Sequence, residues 1–240
     1  MSGKLRVDAE TTFLSAPDAC PYLPGHVTRM RYEIALDLTP GRYMTRLNAG
    51  WRRFGPVLFC HQCPSCRSCR SLRIPIDAFR LSDSQRRVWR RNNRDVTIRI
   101  VTPDSDAAKL DLFRRFHRHG AETKGWPADA GHDLSLFTVN PFRTEEWDYY
   151  VGDTLVGVGY VDVLPKGLSA IYFFHDPCEE KRSLGTFNIL SMLDAARLRH
   201  LPYVYLGYYV EGCRSLEYKA RFRPNEVLSE RGDWVPFVEQ

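Results

Sequence analysis

The stretch "CHQCPSCRSC", residues 60–69, sets Cys60, Cys63, Cys66 and Cys69 three apart and holds four of the chain's seven cysteines. It is a metal site, an iron–sulfur electron carrier, a disulfide framework, a redox pair, or a set of small buried hydrophobes. Four thiolates suit tetrahedral zinc or an iron–sulfur cluster, because soft sulfur ligands select those metals. The spacing is continuous, however, whereas structural zinc sites take two ligands from one short knuckle and two from elsewhere. C-x2-C-x2-C is also the spacing of ferredoxin cluster ligands, whose fourth cysteine comes from afar. Cys20, in "CPYLPG", is the distant candidate. The opening "MSGKLRVDAETTFL" has no apolar core behind a basic start, and no run approaches 18 apolar residues. No secretory signal and no membrane span are therefore expected, and a cytoplasmic setting keeps thiols reduced and favours metal over disulfides.

Charge is concentrated at one place. Residues 80–99, "RLSDSQRRVWRRNNRDVTIR", carry seven arginines against Asp83 and Asp95, as much net charge as the +5 of the whole chain. Ser82 followed by Gln85 is a capping-box signature and opens a helix over 82–93. On that helix Arg86, Arg90 and Arg94 recur every four residues with Arg87 and Arg91 beside them, a stripe of cationic forks suited to the phosphates of RNA or another polyphosphate. Trp89 is near enough for packing or stacking. The competing reading is a solvated helix face with no partner.

The pattern elsewhere is α+β, with an expected boundary near residue 102. In the first part, "RYEIALDL" at 31–38 alternates like a strand, Thr39-Pro40 starts a helix that Gly50 stops, and "VLFC" and "SLRIPI" flank the cysteines as strands. "VTIRIV" at 96–101 closes it. In the second part, residues 104–119 read as a helix. Strands "WDYYV", "LVGVGYVDVL" and "SAIYFF" follow, then a helix over 184–199, strand "YVYLGYY" and a short helix near 213–221. A meander, a helix with Gly185 at its N-terminus and a further strand is the order of the GNAT acyltransferase core, a fold-level analogy. Gly185 offers free N–H groups to an anion. Tyr205, Tyr208, Tyr218, Lys219 and Arg221 stand where a strand ends and a helix begins; Lys219 and Arg221 suit a carboxylate, and the tyrosines a ring or sugar. Aromatic core with snorkelling cations is the alternative for this stretch. Walker A, G-x-S-x-G and G-x-G-x-x-G motifs do not occur.

Together "CPYLPG" (20–25), "GWRRFG" (50–55), "CPSCRSCRSLRIPI" (63–76), "SQRRVWRRN" (84–92), "DVLPKGLSAIYFFHDP" (162–177), "RSLGTFNIL" (182–190) and "VYLGYYVEGCRSLEYKARF" (204–222) resemble the aminoacyl-tRNA–protein transferases, the eukaryotic arginyltransferases and bacterial aspartate/glutamate leucyltransferases. The resemblance covers most of the chain. It implies a cysteine-bearing N-terminal domain (1–102) and a GNAT-like transferase domain (103–240). It implies that arginine or leucine passes from aminoacyl-tRNA to the N-terminal Asp or Glu of acceptor proteins, creating an N-degron. It matches the family's cysteines to Cys20, Cys63, Cys66 and Cys69, binding zinc or an iron–sulfur cluster, and leaves Cys60 outside. Because the ester is already activated, no ATP is needed, and positioning supplies most of the catalysis. Under this reading Asp176 or Glu211 is the general base, Tyr208 holds the adenosine or the oxyanion, and Lys219, Arg221 or Arg73 binds the acceptor's acidic side chain. The arginine helix (Arg86, Arg87, Arg90, Arg91, Arg94) then meets the tRNA acceptor stem, and a monomer is expected. The rivals are a GNAT-type N-acyltransferase using acyl-CoA, for which "RSLGTF" supplies only part of a pyrophosphate loop, a non-catalytic RNA-binding metal protein, and a ferredoxin-like carrier.

Overall fold

The computed structural model describes residues 11–126 and 134–237, and helix and sheet are mixed throughout. The chain begins with β1 (Thr11–Leu14), a hairpin of β2 (Asp18–Ala19) and β3 (Val27–Thr28), and β4 (Met30–Ile34). Helix α1 (Pro40–Asn48) leads to β5 (Arg52–Phe54), β6 (Val57–His61) and β7 (Arg70–Pro75). Then come α2 (Asp83–Asn92), β8 (Val96–Val101), α3 (Ala107–Lys124) and the single turn α4 (Ser135–Thr138). Three long strands, β9 (Thr144–Val151), β10 (Thr154–Leu164) and β11 (Gly167–His175), reach a 3-10 turn at Pro177–Arg182. The chain continues through α5 (Leu184–Leu198), β12 (Tyr203–Tyr209), α6 (Arg214–Glu217), a second 3-10 turn at Tyr218–Arg221, β13 (Glu226–Leu228) and β14 (Trp234–Pro236).

Local chemistry sets most of these boundaries. The Thr39 hydroxyl accepts the Arg42 N–H at 3.2 Å, Pro40 occupies the first turn where its missing N–H costs nothing, and Gly50 takes φ +85° beyond the end of α1. Both halves of the capping box form at α2: Ser82 Oγ accepts the Gln85 N–H at 3.3 Å, and Gln85 Oε1 accepts the Ser82 N–H at 2.9 Å. The strand expected over 31–38 stops at Ile34. Ala35 still donates to Pro56 O at 3.0 Å, after which the chain turns to present Thr39 as the cap. The helix expected over 104–119 runs later, because Asp106 caps it by accepting the Lys109 N–H at 2.8 Å.

The smaller sheet is antiparallel, in the order β1-β4-β6-β5. The larger runs β14-β13-β7-β12-β11-β10-β9-β8. Among the described strands β11 and β12 are its one parallel pair, and α5 is the crossover that such a pair requires. β7 and β8 precede residue 102 and the other six strands follow it, so the expected boundary falls inside one sheet. β7 is an inner strand, with Leu72 and Ile74 in the main core. Helix α5 buries Leu184, Phe187, Leu190, Met192 and Leu193 in that core, and Trp89 of α2 packs on Phe187 with ring centroids 5.6 Å apart. Helix α3 covers β10 and β11 through Leu112, Phe113, Phe116, Val158, Tyr160 and Phe174. Helix α1 sits over the seam between the sheets, where Tyr43, Met44 and Leu47 meet Trp51, Leu58, Leu164 and Tyr205.

The seam also holds a fully buried ion pair. Arg53 of β5 gives Nε–H to Asp162 Oδ2 of β10 at 2.8 Å and an Nη2–H to Asp162 Oδ1. Its other donors go to Gly55 O (2.7 Å), Asn140 Oδ1 (3.0 Å) and Thr144 Oγ1 (2.7 Å). All five N–H groups of the fork are thereby used. Removing one partner leaves the other as an uncompensated buried charge. We therefore expect Asp162→Ala to lose about 3–5 kcal/mol in urea unfolding, and Arg53→Met with Asp162→Leu to recover most of that loss.

Candidate active site

The ribbon joining β6 to β7 carries Cys63, Cys66 and Cys69 along a cleft of about 490 Å³ that Gly50, His61 and Tyr208 also line. All its thiols are free. Burial pushes the Cys69 thiol up to about 12, and neighbouring Cys63, Cys20, Cys66 and Cys213 add to the effect. Cys20 thus lies beside the ribbon, and Cys60, which also lines the cleft, has Arg31 and Glu33 of the smaller sheet and Arg46 of α1 around it. Cys213, at the start of α6, is a fifth thiol that no spacing in the sequence revealed. The Ser68 hydroxyl, 3.3 Å away, pulls the Cys66 thiol down. The donors suit zinc or an iron–sulfur cluster, yet among the described residues no three Cys, His, Asp or Glu side chains are gathered closely enough to hold an ion. Cys20 Sγ accepts the Leu23 N–H at 3.4 Å, and Cys63 Sγ lies 3.9 Å from Thr28 Oγ1. His61, which belongs to no metal-binding spacing in the sequence, lines the cleft with both ring nitrogens buried and unpartnered among the described residues, and burial pushes it down to about 4.

Tyr208 and Lys219 come together. The buried Tyr208 donates its hydroxyl to Gly50 O at 2.9 Å, and Lys219 Nζ donates to the Tyr208 carbonyl at 3.0 Å. Burial, with the nearby positive charge of Arg52, brings Lys219 down to about 7. Burial also raises Tyr218 to about 12. Tyr205 turns the other way and donates to Asn48 Oδ1 at 3.3 Å in the seam.

The remaining candidates are dispersed. Arg73 gives Nε–H to Glu226 Oε2 at 2.7 Å and stacks on Tyr203 and Trp234 at 3.8 and 4.3 Å, so it already has a carboxylate. The Arg221 carbonyl accepts from Gln85 Nε2 at 3.1 Å, which sets this exposed arginine beside the start of α2. Asp176 caps the 3-10 turn after β11, accepting the Cys178 N–H at 2.9 Å and Arg115 Nη1–H at 2.7 Å. Burial works against its charge, but those bonds hold the carboxyl below its usual range, which makes it a poor base. Glu211 is exposed on the turn after β12. Gly185 lies in the first turn of α5, where a Cβ would meet nothing within 4 Å, so packing does not require glycine there.

On α2 the arginine stripe shifts by one residue. Arg86 is held by Asp83 at 2.6 Å and by Leu81 O at 2.7 Å, and Arg91 donates to Lys181 O. Arg87 and Arg90, three apart on α2, and Arg94, in the turn after the helix ends at Asn92, are exposed with no hydrogen-bond or ion-pair partner among the described residues. Trp89 faces inward and is not a stacking platform.

Family models covering most of the chain match it: "Arginine-tRNA-protein transferase, N terminus" over residues 18–87 and "Arginine-tRNA-protein transferase, C terminus" over 108–229. An aspartate/glutamate leucyltransferase of Campylobacter jejuni is 36% identical over 91% of this chain and 93% of its own. The aspartate/glutamate leucyltransferase of Nitrobacter winogradskyi is 37% identical over 95% and 92%. That of Methylobacterium nodulans is 38% identical over 95% and 96%. L-PGS from Bacillus licheniformis superposes at a TM-score of 0.48 and 9% identity, over 71% of this chain and 50% of that one. Both halves of the sequence thus match the same group, end to end, and the chain belongs to the arginine-tRNA–protein transferase family.

Proposed function

We propose that the chain transfers leucine from leucyl-tRNA to the N-terminal Asp or Glu of acceptor proteins, creating an N-degron, in the cytoplasm and as a monomer. The observation that carries this reading is the end-to-end match to relatives bearing the name aspartate/glutamate leucyltransferase. The exposed Arg87 and Arg90 of α2, with Arg94 in the turn that follows, support it from the side of the tRNA, and Arg221 adds positive charge beside the start of α2. Two further features support a GNAT-like transferase core: the β9–β11 meander followed by the α5 crossover, and a β12 that pairs with β11 only at Gly167–Ser169 and then diverges. No helix among the described residues is long and apolar enough to cross a membrane.

The reaction is aminolysis of an ester. The acceptor's neutral α-amine attacks the leucyl carbonyl, a C–N bond forms, the C–O bond to the terminal ribose breaks, and the ribose hydroxyl leaves with a proton. An α-amine titrates near 8, so a weak base or a water chain suffices. Glu211 serves this role better than Asp176, whose carboxylate is already bound by Arg115. Lys219 fixes the end of β12 through the Tyr208 carbonyl, leaving the Tyr208 ring against the cleft. Zinc or an iron–sulfur cluster on Cys20, Cys63, Cys66 and Cys69 belongs to the same proposal, and it would tie the N-terminal segment to the ribbon. No step of the transfer passes through it.

Three measurements test this reading. With tRNA carrying labelled leucine or arginine, label from leucine is expected on peptides beginning with Asp or Glu and not with Ala; transfer to none of them, or acylation from acetyl-CoA instead, would refute it. Replacing Arg87, Arg90 and Arg94 by Ala should weaken tRNA binding and flatten the slope of log K against log salt by about 2–3, since each lost phosphate contact releases fewer counterions; an unchanged slope removes α2 from the tRNA interface. Anaerobically purified protein should contain zinc or iron that Cys69→Ala abolishes, and metal-free wild-type protein would count against the cysteine site.

A further inference from the structure

Adjacent arginines on β5 are treated in opposite ways. Arg53 has Asp162, Arg46 has Glu33 at 2.9 Å, and Arg73 has Glu226, so each of these buried or half-buried cations meets its own carboxylate. Arg52 is buried too, at 7% exposure, but forms no ion pair among the described residues; Asp162, already held by Arg53, feels its charge only from beyond ion-pair distance. Its one hydrogen bond among the described residues runs from Nη2 to the backbone carbonyl of Ala170 on β11, at 2.6 Å. Its Nε and Nη1 have no partner among the described residues, and neither is fully occluded.

The position is equally unusual. β11 and β12 part after Ser169 and Tyr205, and the guanidinium enters the opening between them. On the β12 side Gly207 adopts φ +82° at a bulge, and a Cβ there would stand 3.3 Å from Arg52 Nη2. Glycine both permits the left-handed turn and keeps the approach to the fork open. Closing the gap between two strands takes only a neutral donor. A buried charge without a counter-ion is costly, and that cost is offset when an anion arrives. The planar fork with two N–H groups to spare matches a carboxylate bidentately. Lys219, the cation that sequence reasoning favoured for this task, already donates to the Tyr208 carbonyl and is drawn toward neutrality by burial and by Arg52 itself.

We infer that Arg52, at the divergence of β11 and β12, binds the side-chain carboxylate of the acceptor's N-terminal Asp or Glu and so sets acceptor specificity. This rests on the transferase reading above. The test is calorimetric binding of a hexapeptide beginning with Asp, and of the same peptide beginning with Asn, to the wild-type chain, Arg52→Gln and Arg52→Lys, with leucyl-tRNA binding measured alongside. Wild type should prefer the Asp peptide, and Arg52→Gln should weaken that peptide about 100-fold, erase the preference for Asp over Asn, and leave leucyl-tRNA binding unchanged. Arg52→Lys, which keeps the charge without the fork, should retain the preference with about a tenfold loss; it decides the matter if the glutamine variant does not fold, since full affinity in Arg52→Lys overturns the bidentate contact. An Asp-over-Asn preference that survives in Arg52→Gln, or equal weakening of both peptides, overturns the proposal. Wild-type protein that selects the Asp peptide but never receives leucine on it would refute the transferase reading alone, because binding needs no turnover.

Discussion

The segment that leaves the cysteine ribbon becomes an inner strand of the main sheet, and the placement of everything near the cleft follows from that pairing. β7 joins β12 antiparallel, with Arg70 opposite Tyr209 and Ser71 opposite Tyr208, so the end of the ribbon is fixed in register against the end of β12. Cys69 and Cys213 therefore approach each other from opposite ends of the sequence, and Tyr208 can reach Gly50 O across the seam. Because a one-residue slip would turn every side chain of β7 to the other face, Leu72 and Ile74 in the core enforce this register. The first hundred residues and the remainder are accordingly one packed body, although two family models divide the chain between them.

Much of the fold was legible because its signals are local. The capping box of α2 and the Thr39-Pro40 start of α1 act over a few residues and appear where the sequence puts them. The pairing of strands across the expected boundary near residue 102 was not legible. Composition and element order change there, but whether β7 and β8 pair with later strands depends on long-range register that no local signal encodes. α3 shows the scale at which local reading fails: the helix began three residues later than its apolar spacing suggested, because the Asp106 carboxylate was the stronger start signal.

The candidate site was legible by residue type more than by role. Tyr208 and the cysteine ribbon line one cleft, and Lys219 donates to the Tyr208 carbonyl. Arg73 and Asp176 looked equally suitable in sequence, yet each is bound by a partner 153 or 61 residues away, Glu226 or Arg115. A charged residue's availability is a tertiary property, set by whether the fold brings a counter-ion to it. His61 and Cys213 received no role for the converse reason, since neither belongs to a spacing and each gains interest only from what surrounds it.

Arg52 and Arg53 make the same point within one dipeptide. Strand geometry sends successive side chains to opposite faces, so two identical residues sample two environments from adjacent positions. On one face Asp162, Asn140, Thr144 and Gly55 use every donor of the Arg53 fork, and the result is a rigid joint between the two sheets. On the other face Arg52 meets a parting pair of strands, a glycine and one carbonyl. The joint holds β5 still, which fixes Arg52 at the opening at no further conformational expense. A positioned charge with unused donors, held by a neighbour whose donors are all used, is the arrangement expected of preorganised binding rather than of packing alone.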